Sequence, residues 1–383
     1  MRLLICSTGL AGHFNPLLPF IDAARERGDE LFVVVPPGLA SEVDALGVAH
    51  YLSDPPDPTK SKELWRRAAR LPHASAARLL DGEFFGRLST EAMLDTVESA
   101  CDTFHPDLIL REPCAYAGAV VAKRRGIAHA QVAISTARTE WSVIGLVGSI
   151  LEDIEDGMEQ FLRETRYLSR LPTSLDPSPF PRTLRYREDE VPEVAEPGRW
   201  ARGSGPLIYL TFGSVAGGLG TARLAFQFTI EAVAGLDARV LVTTGRSFDR
   251  RLLGELPSNV FVESWVPQET VFPFASVVLC HGGSGTTYGA LAAGLPIVFV
   301  PMFADQRTNA RLITVAGAGV IVDVGAKSEP GFREIAAGDV PRIRAAVLDV
   351  LANSSYALAA QVIAEEIAST GSARDCLETL LAR

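Results

Sequence analysis

Two stretches of this chain end an apolar run in side chains able to do chemistry. The first is Gly12-His13-Phe14-Asn15-Pro16, which follows Leu3-Leu4-Ile5-Cys6 after a loop of small residues. A neutral imidazole accepts a proton near pH 7, so His13 is a candidate general base. The alternative is a histidine that only caps the next helix or binds a backbone carbonyl. The second is Val277-Val278-Leu279-Cys280-His281-Gly282-Gly283-Ser284-Gly285-Thr286-Thr287. Here an apolar run passes through a glycine-rich loop into a helix beginning near Gly285. Glycines let a ligand approach the backbone closely, and first-turn N–H groups present partial positive charge to an anion. Ser284, Thr286 and Thr287 add hydroxyl donors, and His281 adds an imidazole donor. The loop reads as a diphosphate cradle in preference to a tight turn with a capping serine. It is not a Walker loop, since no lysine follows the glycines. A third loop, residues 211–218, contains Gly213 and Ser214, an N–H and a hydroxyl that phosphate can accept.

Such loops need elements to hold them. The first half alternates short apolar runs with helical patterns: Leu3–Cys6, a helix opened by Pro16 and closed near Gly28, Leu31–Val35, Leu108–Leu110, a helix over roughly 115–125, and Ala130–Val132. Pro16 suits a first helical position because its missing N–H would be unpaired there. Continuous apolar runs fit strands buried on both faces, and strand–helix–strand units predict a parallel, doubly wound sheet. Ligands of such sheets bind at the carboxyl ends of the strands, where the loops described above fall. Residues 172–206 change character, with seven prolines and several acids, and read as an extended interdomain segment. The rhythm restarts at Leu207–Leu210 and runs through Val240–Val242, Val260–Val262, Val277–Leu279 and Ile297–Val300. The expected class is α/β, with two Rossmann-like doubly wound domains. The expected division is 1–185, a linker 186–206, a second domain 207–365, and a terminal helix 366–383.

Composition narrows the partners. A length of 383 residues fits two domains, each large enough for its own core. With 36 basic and 46 acidic residues the net charge is −10, so nucleic acid is not an expected partner. Five scattered cysteines without a CxxC pair disfavour disulfides and structural zinc. No apolar run approaches the length of a membrane span, and the first apolar run is too short for a signal peptide. A reducing cytoplasm is the expected setting.

Trp265-Val266-Pro267-Gln268, the His281–Thr287 run, Gly294-Leu295-Pro296, Asp305-Gln306 and Asn309 together resemble the donor signature of family 1 nucleotide-sugar glycosyltransferases. Gly12–Pro16 is similar to that family's acceptor-side loop, and Arg111-Glu112-Pro113-Cys114 to its bacterial form. The resemblance runs from end to end, at the length of actinobacterial natural-product enzymes. It implies the GT-B fold: an acceptor domain and a donor domain facing a cleft, with the last helix crossing back to the first. It also implies roles. Trp265 stacks on the base, with Val266 beside it and Gln268 near base and ribose. Gly213, Ser214, His281, Gly283, Ser284, Gly285 and Thr286 hold phosphates. Asp305 and Gln306 bind sugar hydroxyls. His13 is the base and Glu112 its acidic partner, where aspartate is commoner. Read alone, Trp265 is equally a half-buried core residue, Asp305 a helix cap and Glu112 a surface acid.

The implied reaction is an inverting transfer to a hydroxyl of a hydrophobic acceptor such as a polyketide, macrolide or flavonoid. No Asp-x-Asp pair is present, so neither metal nor other cofactor is expected, and the nucleotide sugar is a co-substrate. Many relatives carry a ribose-gripping glutamate eight residues after the signature histidine; this chain has Gly289. That departure points to dTDP-sugars at least as much as UDP-sugars. His73, Phe84, Phe85, Trp141 and Ile144 are the acceptor-lining candidates, each also readable as ordinary core. The sugar, the acceptor atom and the oligomeric state, a dimer included, stay open. The rival readings are a sugar-nucleotide epimerase and a non-catalytic sugar-nucleotide-binding regulator.

Overall fold

A computed structural model describes residues 1–188, 198–213, 218, 222–324 and 333–381. The chain divides into two compact units, Met1–Asp189 with Thr370–Arg383, and Glu190–Ser369. Both are parallel sheets dressed with helices.

The first unit contains β1 (Arg2–Cys6), β2 (Glu30–Val35), β3 (His50–Leu52), β4 (Leu108–Arg111), β5 (Ala128–Val132), β6 (Arg166–Ser169), β7 (Arg182–Arg187) and β14 (Gly371–Ser372). Their order across the sheet is β14-β7-β6-β5-β4-β1-β2-β3. Leu3, Leu4 and Ile5 are fully buried, because helices cover both faces of β1. Burying each such side chain stabilises the unit by about 1.5–3 kcal/mol. One covering helix, Tyr116–Arg125, packs so closely that a Cβ at Gly118 would lie 3.3 Å from Cys6 Cβ. The terminal helix Ala373–Leu381 buries Cys376, Leu377 and Leu380 in this unit's core, and Arg166 Nη1 donates to Leu380 O at 2.6 Å.

The second unit contains β8 (Leu207–Thr211), β9 (Arg239–Thr243), β10 (Val260–Glu263), β11 (Val277–Cys280), β12 (Ile297–Phe299) and β13 (Gly319–Ile321), ordered β10-β9-β8-β11-β12-β13. Its core gathers Ile208, Leu210, Val240, Val242, Val277, Leu279, Val298 and Val300. Among the described residues, no single helix is long and apolar enough to cross a membrane.

Each sheet reverses its strand order once. In the first, β1 leads outward to β2 and β3 on one side, with β4 to β7 on the other. In the second, β8 leads to β9 and β10, and β11 to β12 and β13. At such a point the loops leaving two neighbouring strands diverge and open a crevice at their carboxyl ends. The crevices therefore lie beyond Cys6 and Arg111, which are paired, and beyond Thr211 and Cys280, also paired.

Two expectations need correction. The segment around His13 is not a loop. The N–H groups of His13 and Phe14 donate to Leu10 O, making a helical turn Ala11–Phe14 that continues through Asn15–Leu17 into the helix Leu18–Glu26. The segment 172–206 is not linker throughout, since Arg182–Arg187 pairs with β6 as β7. Its arginines hid the strand, and one of them ties down a neighbouring loop: Arg185 Nη1 donates to Leu171 O and Nη2 to Asp176 O at 2.6 Å each. Residues 189–197 of the expected linker lie outside the described residues.

Candidate functional site

In the first unit the chemistry gathers at the β1–β4 switch. Residues 7 and 8 leave β1 beside residue 112, which leaves β4. Thr8 N–H and Thr8 Oγ1 both donate to Glu112 Oε1 at 2.9 Å, and Cys114 N–H donates to Oε2 at 2.6 Å. His13 Nδ1 lies 3.2 Å from Glu112 Oε2 and 3.0 Å from Thr8 Oγ1. Glu112 has no exposed surface, whereas the His13 side chain keeps 15%. Burial alone would raise the Glu112 carboxyl. The neighbouring His13, with the Thr8 and Cys114 amides, outweighs it and holds the carboxyl below its ordinary range. The dyad that the resemblance implied is thus formed in space, with the longer arm of glutamate taken up by two amides.

Beneath it lies a buried polar network that apolar periodicity did not announce. Arg111 is fully buried. Its Nη1 donates to Glu112 O at 3.0 Å and Pro113 O at 2.9 Å, its Nη2 to Gln131 Oε1 at 2.6 Å, and its Nε to His129 Nε2 at 2.7 Å. Gln131 passes the contact to Glu140 Oε2 at 2.8 Å. Burial pushes Glu140 up to about 7 and His129 well below its ordinary value, so the latter accepts as a neutral ring. Arg111 fixes the carbonyls of the turn that aims Glu112.

An apolar cavity of about 470 Å³ opens beside the dyad, within the first unit. Its wall carries a ladder of rings. Trp65 meets Phe84 edge-on at 5.6 Å, Phe84 meets Phe85 at 5.0 Å, and Phe85 stacks on the His13 imidazole at 5.3 Å. Phe84 and Phe85 stand on a wide-turned helical stretch, Leu80–Ser89. Gly86 lets that stretch close on its neighbour, for a Cβ there would lie 3.1 Å from Val147 Cγ1. Asp81, at its start, is lifted to about 6 by burial, against the pull of His13. Of the acceptor candidates, Phe84 and Phe85 line this cavity. Trp141 does not: it packs on Phe180 and lines a separate hollow with Arg138 and Pro177. Ile144 is 3% exposed, in the core. The side chain of His73 and all of Ser214 lie outside the described residues.

In the second unit His281 leaves β11 at the switch. The ring is wedged between two glycines: a Cβ at Gly283 would lie 2.7 Å from its Cε1, and one at Gly213 would lie 3.1 Å away. Burial pushes His281 down to about 4, so it is neutral at pH 7. Gly282 has φ +92, and a Cβ there would meet Gln306 O at 2.7 Å. The helix Ser284–Ala292 then begins with no side chain capping it. Ser284 Oγ donates to Asp305 Oδ2 at 3.2 Å, and buried Asn309 ties Gly282 O, Ser284 Oγ and Asp305 Oδ2 together at 3.0–3.2 Å. Gln268 Nε2 donates to Thr286 Oγ1 at 2.9 Å. Trp265 is 53% exposed, which excludes a core role, and the Arg246 guanidinium lies 4.6 Å over its ring. Val266 is half-buried beside it and Gly285 is exposed. Gln306 behaves differently from its expected role. It is 2% exposed, and its Oε1 accepts from the Met302 and Phe303 amides at 2.9 and 3.0 Å, so it braces the turn. Thr8, Asp81 and Arg246 escaped sequence reading, and Arg111 was quoted only as part of a motif, with no role given to its side chain.

Comparison with known proteins bears on the family and the fold. Residues 227–382 match the C-terminal domain, and residues 62–169 the N-terminal domain, of the family described as erythromycin biosynthesis protein CIII-like. The elloramycin glycosyltransferase of Streptomyces olivaceus is 29% identical, over 96% of this chain and 94% of its own. The aklavinone 7-beta-L-rhodosaminyltransferase of Streptomyces galilaeus is 26% identical, over 84% of each. In fold, spinosyn rhamnosyltransferase complexed with thymidine diphosphate superposes with a TM-score of 0.79 at 21% identity, covering 99% of this chain and 100% of that one. These structural neighbours are GT-B glycosyltransferases, and the two parallel-sheet units have that fold.

Proposed function

This chain belongs to the family 1 nucleotide-sugar glycosyltransferases of natural-product type, and from that premise we propose that it moves a sugar from a dTDP- or UDP-carrier to a hydroxyl of an apolar small molecule such as a polyketide, macrolide or flavonoid. The observation that carries this reading is the His13–Glu112 pair on the rim of an apolar, ring-lined cavity. Similarity to an elloramycin glycosyltransferase and an aklavinone 7-beta-L-rhodosaminyltransferase supports a small-molecule acceptor.

Glu112 and Thr8 lie against Nδ1 of His13, which supports Nε2 as the atom that receives the acceptor's proton. As the acceptor oxygen attacks the anomeric carbon, Nε2 takes its proton and Glu112 stabilises the imidazolium. The bond from the anomeric carbon to the β-phosphate oxygen breaks on the opposite face, and configuration inverts. The leaving diphosphate gains charge at amides 284–286 and at neutral His281, a donor that needs no proton of its own to be expelled. With the helix start in that role no metal ion is required. Trp265 stacks on the base, and Asp305, held by Ser284 and Asn309, receives sugar hydroxyls.

The carrier preference rests on Gly289. A Cβ there would lie 2.9 Å from Phe272 Cε2, so a ring fills the space a ribose-gripping glutamate would need. A 2′-deoxyribose loses least by this, which favours dTDP. Incubating the protein with radiolabelled dTDP- and UDP-sugars and a panel of phenolic and macrolide aglycones, with and without EDTA, tests the reading. Labelled glycoside that survives chelation, with dTDP the stronger competitor, is expected. Hydrolysis or epimerisation of the donor without glycoside would overturn it.

A further inference from the structure

The reaction just derived leaves Cys114 unused, although its backbone N–H is one of the two amides aiming Glu112. That hydrogen bond folds residue 114 back over the carboxylate. As a result Cys114 Sγ, a His13 ring nitrogen and a Glu112 carboxylate oxygen all lie within 4.8 Å of one another. A thiol, an imidazole and a carboxylate are three ligands of the kind that hold Zn²⁺ with one position left open. Bonds of about 2.0–2.3 Å bring such ligands to about 3.5 Å apart, a closure that small side-chain rotations supply. His13 Nδ1 already stands 3.2 Å from Glu112 Oε2. His13 and Cys114 are half-buried, and the cavity wall at Thr8 and Phe85, which touch the imidazole, gives an ion a way in.

We propose that His13, Glu112 and Cys114 form an inhibitory zinc site, in which the cation stops transfer by taking Nδ1 of the base. The inference rests on His13 being that base. In the active tautomer Nδ1 carries the proton that faces Glu112, and Nε2 holds the lone pair. A neutral imidazole bound to metal through Nδ1 must carry its proton on Nε2. The lone pair that should receive the acceptor's proton is then gone. The balance closes without electron transfer: the imidazole proton passes from Nδ1 to Nε2 through solvent, the Cys114 thiol releases its proton to bulk water, and the carboxylate ligates as it stands. A hard cation such as Mg²⁺, which prefers an all-oxygen octahedron, gains nothing from a thiolate and an imidazole.

The test has a binding arm and a turnover arm, both on the full chain. Co²⁺ titrated into the protein as a zinc surrogate should produce a thiolate charge-transfer band that Cys114→Ser and Cys114→Ala both remove. Zn²⁺ should inhibit glycoside formation, EDTA should restore it, and Mg²⁺ should not inhibit. Both Cys114 variants retain the backbone N–H, and each, read against its own metal-free turnover, should shift the inhibitory Zn²⁺ concentration upward by about tenfold or more. Absence of the band, or inhibition that persists unchanged in both variants, overturns the site and leaves the base assignment standing. A Cys114-dependent band with full turnover at saturating Zn²⁺ overturns the inhibition and counts against His13 as base.

Discussion

His13 and His281 each follow a buried strand at the place where their sheet reverses strand order, yet their surroundings are opposite. His13 faces a buried carboxylate at 3.2 Å and keeps 15% of its side chain exposed. His281 is enclosed between Gly213 and Gly283, with burial as the cause of its low pKa of about 4. An imidazole beside a fixed negative charge is prepared to become a cation; one packed in glycine and apolar rings is prepared to stay neutral. In the proposed reaction the same topological position serves as proton acceptor in one unit and as neutral hydrogen-bond donor in the other. The choice is made by what the neighbouring strand delivers: Glu112 after β4 in one sheet, a glycine after β8 in the other.

The contrast can be broken at graded cost. The largest effect should come from Glu112→Gln, which keeps the shape and removes the charge. Turnover on an alkyl alcohol should fall by about 10²–10⁴-fold, read by initial rates, while dTDP affinity stays put. A fall below threefold would show that the carboxylate is only structural. Next, acid should report on His281. Its folded pKa of about 4 lies below the unfolded value of about 6.5. Below pH 6.5 the unfolded chain therefore binds the proton that the folded chain refuses, and stability is lost as pH falls from about 6.5 towards 4. The full effect is about 3 kcal/mol. Denaturant midpoints should show that slope in the wild type and a shallower one in His281→Gln; equal slopes would contradict the neutral assignment. Smaller still, Trp265→Ala should weaken dTDP by about 1–3 kcal/mol in calorimetry, through loss of base stacking, with the fold intact. Last, Gly283→Ala places a Cβ against His281 and should weaken dTDP by about 1–2 kcal/mol as the ring is displaced.

How far these features could be read without coordinates depends on burial. Strands β1, β2, β4 and β8–β12 announce themselves by their apolar runs, whereas β5 (Ala128–Val132) carries the buried polar His129 and Gln131. β7 does not announce itself, since Arg182, Arg185 and Arg187 interrupt it near the sheet's edge. Of the residues given a role in the proposed reaction, those that follow a central strand, His13, Glu112 and His281, could be singled out from the sequence. Thr8 and Arg111 could not, because their roles come from strand register: Cys6 pairs with Arg111, and only that pairing sets Thr8 against Glu112. Gln306 shows the converse. Its place in a signature says nothing of the direction of its side chain, which the Met302 and Phe303 amides draw inward.

The division of labour between the two imidazoles is tested most directly by measuring turnover and dTDP affinity together for His13→Ala and His281→Ala. The account predicts that His13→Ala loses about 10²–10⁴-fold in transfer to an alkyl alcohol, less on an acidic phenol, and binds dTDP as the wild type does, whereas His281→Ala binds dTDP more weakly. Undiminished transfer by His13→Ala, or weakened dTDP binding in that variant with normal binding in the other, would contradict it.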